Sequence, residues 1–377
     1  MRVGIDARFY GPGGRGLGRY TAELVRHLEA ESTPADEFLV FLRRDNYDAY
    51  RPECANFRKV LADFPWYSIA EQARFPALIR TAGVDLVHFL HFNVPMFSRT
   101  PYVVTIHDLI LKRYPTIAAS TRAWPTYLFK RLGYHAVISA AVRRARAVIA
   151  VSRFTKSQIV SAWPRVAERT VVIPEGVSVL ARAPEPHSAV LQRYSIARPY
   201  FLYVGSCYPH KNVSGLVAAY RVLQSWEPAA PDLVLVGSRD RFSERLAEAV
   251  RTAGIRGVHF IGFVPDSDLR TLYEAAVAYV CPSLYEGFGL PPLEALAAGT
   301  KVLAHRGTAL PEVLGEAAFF TDARDPVGFA RDLRALATGE ERSAYFPLEK
   351  FSWAQTARQT YAVYRQALGP GSAPDVL

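Results

Sequence analysis

This chain of 377 residues contains few cysteines and no long apolar run. Its first residues do not have the pattern of a leader peptide. The three cysteines, Cys54, Cys207 and Cys281, lack metal-ligand spacing, so we expect a reducing compartment and no disulfide framework. No apolar run approaches the ~18–20 residues that cross a membrane. The first residues have the pattern of a strand rather than of a signal peptide. We therefore expect a cytoplasmic protein.

Acidic residues are also missing from one long stretch, Leu109 to Ala167, which contains eleven lysines and arginines. Residues 1–180 contain 25 Lys and Arg against 15 Asp and Glu, and residues 181–377 contain 20 of each, so the net charge of +10 lies entirely in the first half. This asymmetry indicates a polyanionic partner for that half, and an ordinary solvated basic surface is the alternative. A helix predicted over 126–145 mixes aromatic and basic residues. It fits a membrane-surface patch and a half-buried helix equally well.

Strand and helix patterns alternate along both halves of the chain. Apolar runs predict strands at 2–6, 38–42, 85–89, 102–108, 147–152 and 171–177, and again at 200–205, 233–237, 258–264, 278–281 and 301–304. Residues 181–198 have the composition of a linker. The pattern predicts an α/β protein with two doubly wound, Rossmann-like domains, at 1–180 and 199–350, that face a cleft. Residues 351–377 form a further segment with a predicted helix.

The most informative motif is Pro-Ser-Leu-Tyr-Glu-Gly-Phe-Gly-Leu-Pro-Pro-Leu-Glu at 282–294, between a predicted strand and a predicted helix. Backbone amides and the positive end of a helix dipole favour an anion such as a diphosphate at such a place. Glu286 on the loop and Glu294, predicted in the first helical turn, are suited to accept hydrogen bonds from hydroxyl groups. The motif thus combines a place for a diphosphate with two carboxylates that can accept hydrogen bonds from hydroxyl groups. This combination predicts a sugar nucleotide as the ligand.

Other polar residues are predicted at the carboxyl ends of strands, where open α/β sheets bind ligands. His107 and Asp108 end one strand, Lys211 precedes a helix, and the glycine-rich segment 11–20 joins a strand to a helix. A structural histidine, a surface lysine and a plain tight turn are the alternatives. His88 and His91 are interpreted as structural or acceptor-site residues and not as metal ligands. The Asp-x-Asp sequence at 266–268 is interpreted as a helix start, capped by Asp266 or Ser267, and not as a metal site.

Taken in order, these motifs resemble the retaining glycosyltransferases of family 4, which have the GT-B fold and include bacterial mannosyltransferases of polysaccharide assembly. The signature is Glu-x7-Glu, here Glu286 and Glu294. The resemblance also covers Gly-Ile-Asp-Ala-Arg at 4–8, Gly-Leu-Gly-Arg-Tyr at 16–20, His-Asp at 107–108 and Val-Gly-x-x-x-Pro-x-Lys-Asn at 204–212. It implies two Rossmann-like domains and a C-terminal helix that packs back on the N-terminal, acceptor-binding domain.

Roles follow from the resemblance, position by position. It implies that Glu286 binds hydroxyls of the transferred sugar, that His107 contacts its 6-position and that Lys211 neutralises the leaving diphosphate, so these three are the catalytic candidates. The implied donor-binding residues are Glu294, Phe288, Gly289, Leu290, Gly205, Ser206, Val264, Gly16 and Gly18. The implied acceptor-binding residues are Arg19, Asp108 and His91. Many family members have an arginine where this chain has Ser206, so Lys211, Arg19 or Arg306 is expected to supply that charge.

The expected activity is therefore transfer of a hexose, mannose from GDP-mannose, to a glycan or a polyprenyl-diphosphate-linked oligosaccharide. We expect no metal and no cofactor beyond the nucleotide-sugar donor. The basic first half predicts a peripheral contact with an anionic membrane, on the inner face of the plasma membrane. UDP-glucose is the alternative donor, and a non-catalytic anion-binding or membrane-surface protein is the alternative class. No recognised nucleic-acid module is present, so a nucleic-acid partner is not expected.

Overall fold

The computed structural model describes residues 1–113, 124–178, 180–197, 199–339 and 346–369. Its contacts divide the chain into two units: unit 1 contains Met1–Gly176 and Phe351–Leu377, and unit 2 contains Val177–Lys350. Each unit is built on one parallel β-sheet, of seven strands in unit 1 and six in unit 2. The sequence-based prediction of two parallel-sheet, Rossmann-like domains is confirmed. In the described part of the chain, no helix is both long and apolar enough to cross a membrane.

Unit 1 has the strand order β3-β2-β1-β4-β5-β6-β7. Its strands are β1 Arg2–Asp6, β2 Glu37–Leu42, β3 Phe57–Leu61, β4 Leu86–Phe89, β5 Tyr102–Ile106, β6 Ala147–Ala150 and β7 Thr170–Val172. Its helices are α1 Arg15–Glu31, α2 Ile69–Thr81, α3 Ile110–Arg113, α4 Trp124–Arg144 and α5 Arg153–Ala162, together with the last helix of the chain, Trp353–Leu368. The central strands are buried on both faces, as expected for a parallel sheet covered by helices.

Unit 2 has the strand order β10-β9-β8-β11-β12-β13. Its strands are β8 Tyr200–Val204, β9 Asp232–Val236, β10 Val258–Gly262, β11 Ala278–Cys281, β12 Val302–His305 and β13 Phe319–Thr321. Its helices are α6 His187–Arg193, α7 Val213–Trp226, α8 Arg241–Thr252, α9 Asp266–Ala275, α10 Leu290–Ala297, α11 Leu310–Leu314 and α12 Pro326–Ala337, so the last helix of the chain is α13.

Helix α13 joins unit 1 although it follows all of unit 2 in the sequence. It packs along α1, where Arg358 forms an ion pair with Glu31 at 3.0 Å. The apolar side predicted for this helix is buried: Ala357, Tyr361 and Tyr364 are each at most 7% exposed. The apolar face of α13 therefore completes a hydrophobic core of unit 1.

The prediction of a linker over 181–198 is wrong in part, because helix α6 lies within this segment and belongs to unit 2. Val190 of α6 is fully buried, and the guanidinium of Arg193 donates to the carboxylate of Asp268 in α9 at 2.6 Å. Tyr194 donates to the same oxygen at 2.8 Å. One buried valine and two hydrogen bonds thus fix a segment whose proline and alanine content resembles a linker.

Candidate functional site: a carboxylate and a lysine at the switch point of unit 2

Both sheets reverse their strand order at one place, between β1 and β4 in unit 1 and between β8 and β11 in unit 2. Loops leaving neighbouring strands in opposite directions open a crevice at such a switch point, and open α/β sheets bind ligands there. In unit 2 the loops that leave β8 and β11 carry Lys211 and Glu286. The parallel register of β8 and β11, with Phe201 opposite Ala278, brings these loops to the same edge.

Lys211 and Glu286, two of the predicted catalytic residues, are in direct contact. The Lys211 ammonium donates to Oε1 of Glu286 at 2.6 Å, and the two side chains are 24% and 14% exposed. Lys211 ends a short 3₁₀ turn, and Asn212, in the left-handed conformation with φ of 53°, directs the chain into α7. The loops are joined a second time, because the Leu284 amide donates to the His210 carbonyl at 2.8 Å.

The loop carrying Glu286 is also held by the segment that follows β12. The Glu286 amide donates to Oγ1 of Thr308 at 3.1 Å, and the Ala309 amide donates to the Glu286 carbonyl at 3.4 Å. Thr308 has a φ of 64°, an uncommon conformation for a β-branched residue that places its hydroxyl under the loop. The position of Glu286 is thus set by the segments that follow three strands, β8, β11 and β12.

The predicted anion cradle has fewer amide donors than its sequence suggests. Gly289 caps α10 with φ of 108°, and a Cβ there would lie 2.8 Å from Cδ2 of Leu310, so glycine is required. The first three residues of α10 are Leu290, Pro291 and Pro292. Proline lacks a backbone N–H, so of these three only Leu290 has an amide that can donate to an anion. The side chain of Phe288 is buried.

Glu294 lies one helical turn later in α10 than predicted. No acidic residue occupies the first turn of α10, and Glu294 follows in the next turn, 5% exposed. The Tyr273 hydroxyl donates to its Oε2 at 3.2 Å. The prediction of a first-turn position is wrong because α10 begins at Leu290 and includes both prolines. A hydrogen-bonded carboxylate at this depth is oriented before any ligand binds.

Gly205, Ser206 and Val264 lie at the ends of β8 and β10. Gly205 has φ of 154°, and a Cβ would lie 2.7 Å from the Tyr203 hydroxyl, which donates to the Ser206 carbonyl at 2.7 Å. A pocket of about 360 Å³ opens beside Gly205, between the ends of β8, β9 and β10 and helix α8. The side chain of Val264 is buried, and that of its neighbour Phe263 is 70% exposed.

The Asp-x-Asp sequence begins helix α9, but its cap differs from the predicted one. Pro265 is the N-cap residue, so the assignment of that role to Asp266 or Ser267 is wrong. Burial raises the pKa of Asp268, but hydrogen bonds from Tyr194 and Arg193 outweigh it and hold that pKa below its ordinary value. Among the described residues, no group of three or more His, Cys, Asp or Glu side chains is arranged to hold a metal ion.

His107, the third predicted catalytic residue, follows β5 in unit 1. Its Nδ1 lies 2.8 Å from Oε1 of Glu175, and its Nε2 lies 3.0 Å from the Leu90 carbonyl oxygen. The ring packs nearly at a right angle to that of Tyr20, at 4.5 Å between centroids, and the His107 side chain is 17% exposed. Burial lowers the pKa of His107, but hydrogen bonding and charge from Glu175 outweigh it and leave that pKa raised.

The predicted acceptor-site residues have different surroundings. The carboxylate of Asp108 accepts from the Ile110 amide at 2.9 Å and so begins α3. His91 packs against Phe92 and Phe9, and burial lowers its pKa to about 3, which keeps it neutral. Arg19 is partly exposed on α1. His88 is wholly buried between Tyr364 and Thr105, which confirms the structural interpretation of that residue.

The two glycines predicted to approach a ligand, Gly16 and Gly18, lie in the first turn of α1. A Cβ on Gly18 would lie 2.0 Å from the Gly11 carbonyl oxygen, so this glycine is required for the preceding loop to pack on the helix. Gly16 is exposed, and a Cβ there would meet no atom within 4 Å. Packing thus accounts for Gly18, and close approach of a ligand remains a prediction for Gly16.

Sequence reasoning missed a buried ionic cluster at the switch point of unit 1. Arg8 donates to Asp6 at 2.7 Å and lies 2.7 Å from Glu71, and its guanidinium covers the ring of Phe75 at 4.2 Å. The amide of Asn93 donates to both oxygens of Glu71, at 2.8 and 2.9 Å. The cluster joins the loops after β1 and β4 to α2. The Asp-Ala-Arg sequence that begins at the last residue of β1 was the available signal.

Comparison with known proteins agrees with this architecture. Residues 14–179 match the model of Glycosyltransferase Family 4, and residues 195–347 match that of Glycosyl transferases group 1. The O-antigen chain mannosyltransferase B of Escherichia coli is 30% identical over 378 residues, which cover 93% of this chain and 96% of that protein.

Solved structures share the fold at lower identity. Sucrose-phosphate synthase from Thermosynechococcus elongatus superposes with a TM-score of 0.72 at 21% identity, over 97% of this chain and 98% of that one. Anabaena HepE, in complex with UDP and glucose, superposes with a TM-score of 0.66 at 18% identity, over the same shares of the two chains. Two Rossmann-like units with these switch points define a GT-B protein. The chain belongs to family 4 of the glycosyltransferases, and as such it is an enzyme that uses a nucleotide-sugar donor and a glycan acceptor.

Proposed function

We propose that this enzyme transfers mannose from GDP-mannose, with retention of configuration, to a glycan or polyprenyl-diphosphate-linked oligosaccharide during assembly of a cell-surface polysaccharide. The observation that carries the proposal is the contact between Lys211 and Glu286 at the switch point of unit 2. The choice of mannose and of polysaccharide assembly rests on the similarity to the O-antigen chain mannosyltransferase B.

The chemistry assigned to the pair follows from its donors and acceptors. An ammonium has three N–H donors, so Lys211 can hold Glu286 and contact a phosphate oxygen with the same group. Glu286 uses Oε1 for Lys211 and has a second oxygen to accept from a sugar hydroxyl. The diphosphate and the sugar are adjacent in the donor, so one pair can serve both. Lys211 then stabilises the negative charge that develops on the diphosphate as its bond to the anomeric carbon breaks.

Transfer is proposed to need no metal ion, because Lys211 and the Leu290 amide at the start of α10 supply positive charge to the diphosphate. Glu294, oriented by Tyr273, is assigned to the ribose hydroxyls, and Gly205 and Ser206 to the diphosphate end of the nucleotide. His107, Arg19, Asp108 and His91 of unit 1 are assigned to the transferred sugar and the acceptor, on the resemblance alone.

A thermal-shift panel tests the donor. At about a hundred times its Kd, a ligand stabilises a protein by about 2.7 kcal/mol. We expect GDP-mannose to raise Tm more than UDP-glucose or ADP-glucose, to do so equally in EDTA, and to lose much of the effect in the Lys211→Ala variant. A larger shift with UDP-glucose would replace the donor assignment. A shift abolished by EDTA and restored by magnesium would contradict metal independence, and no shift with any sugar nucleotide would contradict the function.

We also propose that unit 1 contacts an anionic membrane surface through its basic stretch. Exposed basic side chains there include Lys112, Arg143, Arg146 and Arg165, and Leu111 and Leu132 of the same stretch are 47% and 61% exposed. A basic residue near an anionic bilayer contributes about 1 kcal/mol. Mixed basic and apolar exposure is typical of proteins that lie on such a surface.

Co-sedimentation with vesicles tests the membrane contact. We expect binding to vesicles containing phosphatidylglycerol and little binding to phosphatidylcholine alone. Replacing Arg143 and Arg146 with glutamate should weaken binding by about tenfold or more, given about 1 kcal/mol per charge. The same change at the exposed Arg324 and Arg331 of unit 2 is the control and should have little effect. Equal binding to both vesicle types would contradict the proposal.

A further inference from the structure

His107 has a hydrogen-bond acceptor at each of its two ring nitrogens. The carboxylate of Glu175 faces Nδ1 at 2.8 Å, and the Leu90 carbonyl oxygen faces Nε2 at 3.0 Å. A neutral imidazole has one N–H and one lone pair, so it would direct a lone pair at one of these oxygens. The protonated ring donates to both. The geometry therefore favours an imidazolium at His107.

The neighbouring charges agree with this protonation state. Glu175 and the adjacent Asp108 are the acidic groups that act on His107, and both raise its pKa against the effect of burial. The other titratable groups close to it are His88 and His91, both of which burial holds neutral with a pKa of about 3. The ring of Tyr20 packs nearly at a right angle to that of His107, and burial raises the pKa of Tyr20. Glu175 is the acidic side chain hydrogen-bonded to the ring.

Glu175 is itself held in place from the far end of the chain. It follows β7 and is 5% exposed. The carbonyl of Pro174 accepts from the hydroxyl of Thr356 in α13 at 2.8 Å. Gly176 lies against Trp353, so that a Cβ there would be 2.4 Å from Cγ of that indole. The first turn of α13 thus fixes the residues on both sides of Glu175, and Trp353 also contacts Tyr20 at 5.7 Å between ring centroids.

We propose that Glu175 is a positioning residue of the transfer reaction, which holds His107 as an imidazolium so that its Nε2–H can be given to an oxygen of the transferred sugar in place of the Leu90 carbonyl. This inference rests on the proposed contact of His107 with the sugar. Without the Glu175 carboxylate, the ring would lose its second proton at a lower pH. Nε2–H would then belong to a neutral imidazole, which is a weaker donor than an imidazolium because its hydrogen bond is not charge-assisted. Glu175 acts through His107 and touches no substrate.

The test uses the Glu175→Gln variant of the full chain, which keeps the size of the side chain and removes its charge. An NMR titration of His107 should show a lower pKa in the variant than in the wild type. The alkaline limb of the kcat profile should move to lower pH by the same amount, because the neutral ring is the weaker donor. KM for the donor should change little. Glu175→Asp keeps the negative charge, so its His107 pKa should lie between that of Glu175→Gln and that of the wild type.

Controls separate this inference from the proposed function and from misfolding. Glu168→Gln removes an exposed carboxylate from the same unit. It should leave the NMR titration of His107 and the pH profile of kcat unchanged. Nucleotide-sugar binding and the thermal melt report whether the variants fold. An unchanged His107 pKa in Glu175→Gln would overturn the inference, as would a lowered pKa without a shift in the kcat profile. A wild type that transfers no sugar from any nucleotide would instead overturn the proposed function.

Discussion

Replacing Glu286 with alanine is expected to lower kcat for sugar transfer by about 10²-fold while changing the Kd of the nucleoside diphosphate by less than about threefold. The carboxylate is assigned to hydroxyls of the transferred sugar, which the nucleoside diphosphate lacks. Its loss therefore misplaces the reacting sugar without removing a contact to the nucleotide. Initial rates and calorimetric titration of the nucleoside diphosphate measure the two effects separately.

The structure provides a matched control and a contradicting outcome for Glu286. Glu316 is an exposed glutamate of the same unit, and Glu316→Ala should leave kcat and the nucleotide Kd unchanged. A Glu286→Ala variant with the turnover of the wild type would remove Glu286 from the site. Equal losses in kcat and in nucleotide affinity would place it on the nucleotide instead of the sugar.

The Lys211→Ala variant is expected to transfer sugar about 10²–10³-fold more slowly, the effect typical of losing one preorganised donor to developing charge. The resemblance implies an arginine at the position of Ser206, so Lys211 is expected to carry a larger share of the positive charge. Arg306, named above as a substitute cation, donates to the Phe320 carbonyl at 3.1 Å. Steady-state rates with saturating donor measure the loss.

Lys350→Ala is the control for that experiment, because Lys350 is an exposed lysine of the same unit. Its rate should equal that of the wild type. A loss below tenfold in Lys211→Ala would show that another cation neutralises the diphosphate. Variants combining Lys211→Ala with Arg306→Ala or with Arg19→Ala would then show which of the two it is.

The sequence predicted the parts of the fold that local pattern determines. Central strands such as β4 and β5 are continuous apolar runs because parallel sheets bury both faces. The edge strands β3 and β13 were not predicted. Strand β3 has one buried residue among its five, and β13 has three residues, so neither shows a buried run. Helix α2 carries Pro76 within it, which is unusual for a helix interior and obscures its pattern.

The candidate site was predictable where its residues lie on strand-to-helix loops. Lys211 and Glu286 were placed at one sheet edge from their position after predicted strands, and the structure adds their direct contact. Glu175 was missed because its partner His107 lies 68 positions earlier in the sequence. Its role depends on a pairing that no local pattern reveals. The same holds for Arg8 and Glu71, whose contact depends on how α2 packs against the loop after β1.

The most direct test of the account is a double-mutant cycle on Lys211 and Glu286, measured as the rate of GDP release from GDP-mannose. Residues that act as one unit give losses that do not multiply. We predict that each single alanine variant is at least about 10²-fold slower than the wild type and that the double variant is about as slow as the slower single variant. Losses that multiply fully, or single variants that release GDP at the rate of the wild type, would contradict the assignment of this pair as the donor site.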